Sequence, residues 1–347
     1  MRICCLNNYP LQRMVDLADQ GLSPGQHGWG LQHLRATPHE VLVAPFPAAG
    51  DHPILERLST GSRHVLGQLD QEFWAVRTHA DILYAADQLS LAGVALSRRV
   101  SARHARVISV AHHPLNGRKA RLRLAALRAH DAVVALSEVL CRDLARSDVP
   151  AHFVPWGPDL ESELYNGTCD DGFAISTGKS NRDLPTLVRA LAKTGYEGRV
   201  FDLRGAVASA PDNVTLIRLG GAGIDPWAND IYLAKAVLDM TRTAGFVVIP
   251  IANPDRLTGL TEINDALALG KPIVITRSPY TPIDVEKIGC GIVVEPGDAD
   301  GWVAAIETLE DPSTRREMGA RGRRFAEQSW NYDIFGTELV TLLDDLV

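Results

Sequence analysis

The sequence predicts an α/β protein made of two open, doubly wound domains that face each other across a cleft. Short apolar runs alternate with longer amphipathic runs along the chain, which is the pattern of strands joined by helices and hence of parallel sheets. The length of 347 residues suits two domains of ordinary size. A segment rich in glycine, proline and acidic residues, 156–172, interrupts the alternation and marks the boundary between them.

Six strands are predicted in the first half, because each is a short apolar run of the kind that is buried on both faces of a parallel sheet. They are Ile3–Leu6, Glu40–Phe46, Asp81–Tyr84, Arg106–Val110, Asp131–Leu136 and His152–Val154. Segments with helical period are found between several of these strands, at Ser97–Arg103 and Arg118–Ala129.

The second half repeats this architecture without repeating the sequence. Its predicted strands are Phe173–Ser176, Arg199–Arg204, Val214–Leu219, Gly245–Ile249, Pro272–Thr276 and Gly291–Val294. Its predicted helices are Leu184–Lys193, Ile231–Met240, Glu262–Leu269, Gly301–Leu309 and Thr314–Ser329. Ligands of open parallel sheets bind outside the carboxyl ends of the strands, so the site is expected in the cleft.

Composition excludes several classes of protein. The net charge of −7 argues against a nucleic-acid-binding chain, and 6% aromatic residues are too few for a protein that reads single strands by stacking. Five scattered cysteines without a Cys-x-x-Cys pair favour a reducing, cytoplasmic location over a disulfide framework or a zinc cluster. The first residues turn polar too soon for a signal peptide, and no apolar run is long enough to span a membrane.

The segment from Gly259 to Thr276 carries the strongest chemical signal. Gly259 permits a close backbone approach to a ligand, and Thr261 is the expected N-cap of the helix that follows. The free amides at the start of that helix form an anion site that suits phosphate. Asp265, one turn into the helix, is placed to accept two hydrogen bonds from a ribose diol. The alternative is an ordinary strand–helix–strand unit with a solvated aspartate.

A second segment, Ser176–Leu187, places two cations after a predicted strand. Gly178 is followed by Lys179 and, three positions later, by Arg182. A loop can direct both side chains at one diphosphate, and an arginine can bind it in a bidentate manner. The alternative is a pair of solvated loop cations. The segment is not a P-loop, because the upstream glycine of that motif is absent.

These two segments resemble the nucleotide-sugar signature of GT-B glycosyltransferases, specifically the retaining family 4 type. Asp265-Ala-Leu-Ala-Leu-Gly-Lys-Pro-Ile has the frame of that family's Glu-Ala-Met-Ala-x-Gly-Lys-Pro-Val. Gly289-Cys-Gly-Ile-Val-Val-Glu-Pro-Gly-Asp is similar to its Gly-x-Leu-Val-x-Pro-Gly-Asp loop. Met318–Glu327 and Trp330 are similar to its late helix and to the aromatic residue where the chain crosses back to the first domain.

The resemblance implies two Rossmann-like domains (GT-B) with boundaries 1–158, 159–328 and 329–347, the last being a C-terminal helix that returns to the first domain. It implies a hexosyltransferase that moves a sugar from a nucleoside diphosphate to an acceptor hydroxyl with retention of configuration, without metal or cofactor. In the family an Arg and a Lys clamp the pyrophosphate, and Lys179 and Arg182 match them with types exchanged and a shorter spacer.

The first domain matches the family more loosely. Gly28-Trp-Gly30 resembles its first glycine loop, which touches the donor phosphate; the alternative is a plain helix start after a glycine-rich loop. His112, or else His113, stands at a strand end where the family often has a histidine beside the transferred sugar. A neutral imidazole there can bind a sugar hydroxyl or the acceptor, although a lone buried histidine is commonly structural.

The predicted site residues follow from these matches. The catalytic set is His112, Lys179 and Arg182, and no residue is predicted to bind a metal. The donor-binding set is Gly28, Gly30, Gly178, Thr258, Gly259, Leu260, Thr261, Glu262 and Asp265.

One departure from the family pattern leaves other functions open. The family has a glutamate eight positions before its ribose-binding glutamate, and this chain has Leu257 there. Glu262 is one turn upstream of Asp265 and can reach the sugar instead, although its spacing differs. The alternatives are a non-catalytic nucleotide-sugar-binding protein and a nucleotide-sugar epimerase on the same fold.

The first half carries a basic stretch inside an acidic protein. Between Arg98 and Arg128 there are nine Lys or Arg and no Asp or Glu. This stretch is interpreted as a solvated helix face, a pocket for an anionic acceptor, or a surface that docks peripherally on anionic lipid at the inner face of a membrane. The acceptor itself is open: a glycan, a lipid-linked sugar or a small molecule, with nucleic acid excluded.

Overall fold

The structure, a computed structural model, describes residues 1–46, 69–97, 105–115, 120–218 and 230–347, with the side chains of 230–234 left out. The chain falls into two compact units. The first unit comprises residues 1–20, 25–156 and 332–347, and the second comprises 21–24 and 157–331. Each unit is built on its own six-stranded sheet, and every pair of neighbouring strands in the two sheets is parallel.

The sheet of the first unit has the order β2-β1-β3-β4-β5-β6. Its strands are β1 Arg2–Leu6, β2 Glu40–Val43, β3 Ile82–Ala85, β4 Arg106–Ala111, β5 Ala132–Ala135 and β6 Ala151–Phe153. The helices of this unit are α1 Leu11–Asp19, α2 Leu31–Arg35, α3 Leu69–Arg77, α4 Ala92–Ser97, α5 Ala120–Leu127 and α6 Glu138–Ala145, with a short 3₁₀ helix at Gly25–Gly28.

The sheet of the second unit has the order β12-β11-β10-β7-β8-β9. Its strands are β7 Ala174–Ser176, β8 Gly198–Phe201, β9 Val214–Ile217, β10 Phe246–Ile249, β11 Ile273–Thr276 and β12 Gly291–Val294. The helices are α7 Leu184–Thr194, α8 Asp230–Thr243, α9 Leu260–Ala268, α10 Val285–Ile288, α11 Ala299–Thr308 and α12 Pro312–Ser329, with a 3₁₀ helix at Glu163–Tyr165.

The last helix, α13 (Tyr332–Asp344), belongs to the first unit although the chain reaches it from the second. Its buried side chains include Phe335 and Leu339, and it packs on α2. The predicted fold class is therefore confirmed: two parallel α/β sheets with a C-terminal helix that returns to the first unit, which is the GT-B architecture.

All twelve predicted strands are present, with ends that differ by a few residues. They are found because a central parallel strand is an unbroken apolar run: β3, β5, β10 and β11 are buried at every position. The helices α1, α3, α4, α6 and α10 are not among those predicted from the sequence. The predicted helix Ser97–Arg103 lies almost wholly outside the described residues, because α4 ends at Ser97 and the structure resumes its description at residue 105.

Candidate functional site

Two loops leave neighbouring strands where the strand order of the second sheet reverses. β7 pairs with β10, and the chain runs from β7 to one edge of the sheet before it returns to β10. Loops at such a reversal diverge to opposite faces of the sheet and leave a crevice at the carboxyl ends of the strands, where ligands bind. We call residues 177–183 the cation loop and residues 250–259 the Gly259 loop.

Arg182 of the cation loop is buried in an ion pair with Glu262. Its Nε donates to Glu262 Oε1 at 3.2 Å, its Nη2 donates to Oε2 of the same carboxylate, and its Nη1 donates to the carbonyl oxygen of Ser180 at 2.7 Å. The two side chains are only 5% and 8% exposed. A Cβ on Gly178 would lie 2.0 Å from Arg182 Nε, so only glycine leaves room for the guanidinium at that position.

Asn181 fastens the cation loop to the Gly259 loop. Its side-chain amide donates to the carbonyl oxygen of Asn253 at 2.9 Å and to Thr258 Oγ1 at 3.0 Å, and its Oδ1 accepts from the Asn253 amide at 2.9 Å. Asn181 has a φ of 55°, in the left-handed region that asparagine tolerates better than most residues. Asn181 is not among the predicted site residues, because in the sequence it is an ordinary asparagine inside a loop.

Helix α9 begins after Gly259, which has a φ of 87° and serves as the N-cap without a side-chain hydrogen bond. The prediction that Thr261 is the N-cap is therefore wrong. A glycine in the left-handed conformation starts the helix two residues earlier and places Leu260, Thr261 and Glu262 in its first turn. The amides of this turn retain the partial positive charge of a helix N-terminus, and the carboxylate of Glu262 is favoured beside them.

Asp265 is nearly enclosed, with only 5% of its surface exposed. Its Oδ1 accepts a hydrogen bond from the hydroxyl of Tyr165 at 2.9 Å. Burial raises the pKa of Asp265 to about 7, against the smaller lowering effect of the Tyr165 hydrogen bond. Tyr165 is in the 3₁₀ helix at Glu163–Tyr165, inside the predicted boundary segment, and is not among the predicted site residues.

We expect Asp265→Asn to change how stability depends on pH. The folded-state pKa of Asp265 is raised, so the folded protein binds its proton more tightly than the unfolded chain. This group therefore lowers the free energy of unfolding as the pH rises from about 4 to about 7, by about 1.4 kcal/mol per pH unit at most. In urea denaturation, the free energy of unfolding of the variant relative to the wild type should be higher at pH 8 than at pH 5. An equal difference between the two proteins at the two pH values would contradict the raised pKa of Asp265.

In the first unit, His112 follows β4 and has a fixed ring. Its Nε2 lies 2.7 Å from the carbonyl oxygen of Ala86, which can only accept, so Nε2 carries the proton and a neutral ring presents Nδ1 as its acceptor. Gln88 Oε1 accepts from the backbone amides of His112 and His113, at 2.9 and 3.1 Å. His112 is half-buried, whereas His113 is exposed.

The loop Gly25–Gly30 is held by tyrosines. The amide of Gly30 donates to the Tyr332 hydroxyl at 3.0 Å, and the Tyr84 hydroxyl donates to the carbonyl oxygen of Trp29 at 3.0 Å. The amide of Trp29 donates to the Gln26 carbonyl oxygen at 3.2 Å. The resemblance implies that this loop touches the donor phosphate, but here the amides of Trp29 and Gly30 are engaged within the protein.

Close packing explains why glycine occupies positions 28 and 30 of this loop. A Cβ on Gly30 would lie 2.5 Å from Leu339 Cδ2, and one on Gly28 would lie 2.8 Å from Gln32 Oε1. Gly30 therefore admits the returning helix α13. Trp29 stacks on Trp156 with ring centroids 4.7 Å apart and meets the ring of His112 edge-on at 4.8 Å. The loop thus supports the His112 ring by packing.

The nine predicted donor-binding residues and the three predicted catalytic residues divide between the units. Three of them lie in the first unit: Gly28, Gly30 and His112. The other nine lie on the loops and helix around the β7–β10 reversal of the second unit: Gly178, Lys179, Arg182, Thr258, Gly259, Leu260, Thr261, Glu262 and Asp265. Lys179 is exposed. Within the described ranges, no three His, Cys, Asp or Glu side chains are grouped so as to hold a metal ion.

No family model matches the sequence. A GDP-mannose-dependent monoacylated alpha-(1-6)-phosphatidylinositol monomannoside mannosyltransferase from Corynebacterium glutamicum is 38% identical over 80 residues, which are 23% of this chain and 21% of the relative. A GDP-mannose-dependent alpha-(1-6)-phosphatidylinositol monomannoside mannosyltransferase from Mycolicibacterium smegmatis is 35% identical over 80 residues, with the same two shares. The similarity thus spans about a fifth of these relatives.

Similarity to solved structures extends over the whole chain. Sucrose-phosphate synthase from Thermosynechococcus elongatus superposes with a TM-score of 0.68 at 17% identity, covering 100% of this chain and 99% of the other. HepE from Anabaena, solved with UDP and glucose, superposes with a TM-score of 0.61 at 16% identity, covering 99% of each chain. At this identity the likeness establishes the shared fold.

Proposed function

We propose that the protein is a glycosyltransferase that moves a hexosyl group from a nucleoside diphosphate to an acceptor hydroxyl. The observation that carries the proposal is the hydrogen-bonded pair of loops at the β7–β10 reversal, where Asn181 joins the cation loop to the Gly259 loop. This arrangement brings the loop of Lys179 to the N-terminus of α9. A cation and a helix N-terminus together suit a diphosphate.

The partial relatives and the fold support the choice of reaction. Two mannosyltransferases whose names specify GDP-mannose are similar in sequence to this chain over about a fifth of their length. A UDP- and glucose-bound structure shares the fold. GDP-mannose is accordingly the first donor to test, and UDP-glucose is the second.

The chemistry follows from the charge that develops at the diphosphate. The bond between the anomeric carbon and the β-phosphate oxygen breaks, the acceptor oxygen forms the new bond, and the acceptor's proton passes to an oxygen of the leaving phosphate. Lys179 and the first-turn amides of α9 would stabilise the leaving group electrostatically, so no metal is required in this proposal. His112 would accept a hydroxyl hydrogen at Nδ1. Bond formation on the face that the diphosphate leaves would retain the anomeric configuration.

We expect GDP or UDP to stabilise the protein, and Lys179→Gln to weaken that binding by about tenfold or more, since a hydrogen bond to a charged group contributes about 1.5–3 kcal/mol. A nucleotide at 100 times its dissociation constant should add about 2.7 kcal/mol, visible as a thermal shift. Lys193→Gln is the matched control, because Lys193 lies in the last turn of α7 and its Nζ pairs with Asp300. Calorimetry then gives the dissociation constants.

Activity is measured with GDP-mannose or UDP-glucose and a mixture of glycan, lipid-linked and small-molecule acceptors. NMR of the product gives the anomeric configuration. Absence of binding by every nucleoside diphosphate would refute the proposal. Binding without sugar transfer would favour the alternative, a non-catalytic nucleotide-sugar-binding protein. Two observations favour that alternative: Leu257 occupies the place of the family's glutamate and is 5% exposed, and Asp265 is covered by Tyr165.

We also propose that the acceptor side of the enzyme contacts anionic lipid through the basic stretch 98–128, as the phosphatidylinositol-based acceptors in the relatives' names suggest. Residues 98–104 and 116–119 lie outside the described residues. In the described part, α5 exposes 42% of Leu122 between Arg121 and Arg123. The part of the chain that the structure describes contains no helix both long and apolar enough to cross a bilayer.

The lipid contact is tested by co-sedimentation with vesicles. We expect the wild type to bind phosphatidylserine-containing vesicles at low salt and Arg121→Gln/Leu122→Ser to bind them less, since each cation near the surface contributes about 1 kcal/mol. Phosphatidylcholine vesicles are the control. Equal binding to the two vesicle types, or to neither, would exclude the electrostatic contact.

A further inference from the structure

The buried pair Arg182–Glu262 indicates that the two cations of the cation loop have different roles, which the sequence does not show. This inference rests on the proposed function. We infer that Arg182 and Glu262 are positioning residues, which hold the cation loop against the first turn of α9, and that Lys179 is the side chain of this loop that meets the diphosphate. Arg182 thus acts through Glu262 and does not touch the donor.

The hydrogen-bonding capacity of the guanidinium is largely used inside the protein. Arginine has five N–H groups. Three of them face Glu262 and the Ser180 carbonyl oxygen, and a fourth points to the Asn181 carbonyl oxygen at 3.4 Å. A diphosphate bound in a bidentate manner would have to displace the carboxylate, which would then be left buried with an uncompensated charge.

The electrostatics lead to the same assignment. A carboxylate paired with a guanidinium is neutral as a unit, so the pair offers a bound phosphate little net attraction. The exposed fractions of 5% and 8% show that the two charges are largely removed from water. Lys179 is in the same loop and is exposed, so of the two cations it is the one on the surface of the protein.

The geometry explains how the pair positions the rest of the site. Arg182 packs against the Cα of Gly178, binds the backbone of Ser180 and ends on Glu262 in the first turn of α9. One side chain therefore sets the path of the loop on both sides of Lys179. Asn181 completes the connection through Asn253 and Thr258. Loss of the pair would release the loop that carries Lys179 from the first turn of α9.

The test is a double-mutant cycle on nucleoside diphosphate binding, with Arg182→Gln, Glu262→Gln and the double variant, using GDP and UDP as probes. If the pair positions the loop, each single variant weakens binding by about tenfold. The double variant, in which two amides can hydrogen-bond without charge, recovers binding to within about threefold of the wild type. Calorimetry is done well below the unfolding temperature of each variant, so that lost stability alone does not change the result.

Direct phosphate binding by Arg182 gives a different pattern. Glu262→Gln would then free the guanidinium and leave binding unchanged or tighter, and the double variant would be as weak as Arg182→Gln. That pattern overturns the inference, as does a cycle in which no variant changes binding. Arg182→Lys is a further check, because it keeps the charge but loses the planar guanidinium that donates to both oxygens of Glu262. Near wild-type binding by this variant also overturns the inference. If the wild type binds neither GDP nor UDP, the proposed function itself fails, and the inference with it.

Discussion

Glu262→Ala is expected to lower the free energy of unfolding by about 3–5 kcal/mol, because it leaves the guanidinium of Arg182 buried without its counter-charge. The loss comes less from the attraction between the two charges than from the cost of keeping an unpaired charge away from water. Urea denaturation monitored by circular dichroism measures the effect. The result concerns stability alone and needs no ligand.

The matched control for this prediction is Glu317→Ala, which also removes a glutamate from an arginine pair on a helix of the same unit. Glu317 pairs with Arg321 at 3.3 Å, but their side chains are 71% and 50% exposed. Surface pairs of this kind contribute about 0–1 kcal/mol. Similar losses in the two variants would mean that Arg182 reaches water once Glu262 is gone, and the pair would then not be a buried one.

Gly319→Ala is expected to destabilise the protein by about 3 kcal/mol, at the upper end of the usual cost of overpacking. Gly319 lies within α12, and a Cβ at this position would be 1.9 Å from the carbonyl oxygen of Gly270. Helix propensity alone predicts the opposite sign, a gain of about 1 kcal/mol for replacing a glycine with alanine inside a helix. Thermal and urea denaturation therefore distinguish the two effects by sign.

Gly322→Ala, on the same helix, is the control for the second prediction. Its Cβ would approach Cys290 Cβ and Leu267 Cδ2 at 3.1 Å, and these are side-chain atoms that can shift. We expect a clearly smaller loss than at Gly319, where the contact is with backbone. A gain in stability at Gly319 would show that α12 does not pack directly on the turn at Gly270.

The contact at Gly270 bears on the segment that resembles the nucleotide-sugar signature. Gly270 has a φ of 62° and ends the turn after α9. Lys271 is buried and donates to the carbonyl oxygens of Ala244 and Cys169. The Gly-Lys-Pro part of the signature therefore anchors α9 in the second unit, whereas the Gly259 part lies at the carboxyl ends of the strands, where the proposed function places the diphosphate. Under the proposed function, one sequence signature thus contains a packing half and a binding half.

The strands could be predicted from the sequence because their signal is local. β10 is apolar and buried at each position, β11 is buried at each position and apolar up to Thr276, and no distant residue is needed to recognise them. Helix starts were less predictable. Thr261 looks like an N-cap by residue type, but Gly259 already adopts the left-handed conformation and begins the helix earlier. The choice between two nearby caps depends on how the loop packs, and Gly259 fits where a Cβ would lie 2.8 Å from Ile249 Cγ2.

The sequence by itself determined the two parallel sheets and the segments that surround the β7–β10 reversal, since apolar runs, glycines and residue types carry that information locally. The returning helix α13 was implied only by the resemblance of Met318–Glu327 and Trp330 to the family pattern. Only the tertiary structure decided the partners: Arg182 with Glu262, Tyr165 with Asp265, and Asn181 with the Gly259 loop. These pairs join residues 72 to 100 positions apart in the chain. Charge and hydrogen-bonding capacity are readable from residue type, but whether Arg182 is enclosed with a carboxylate depends on burial, and burial is a property of the folded chain.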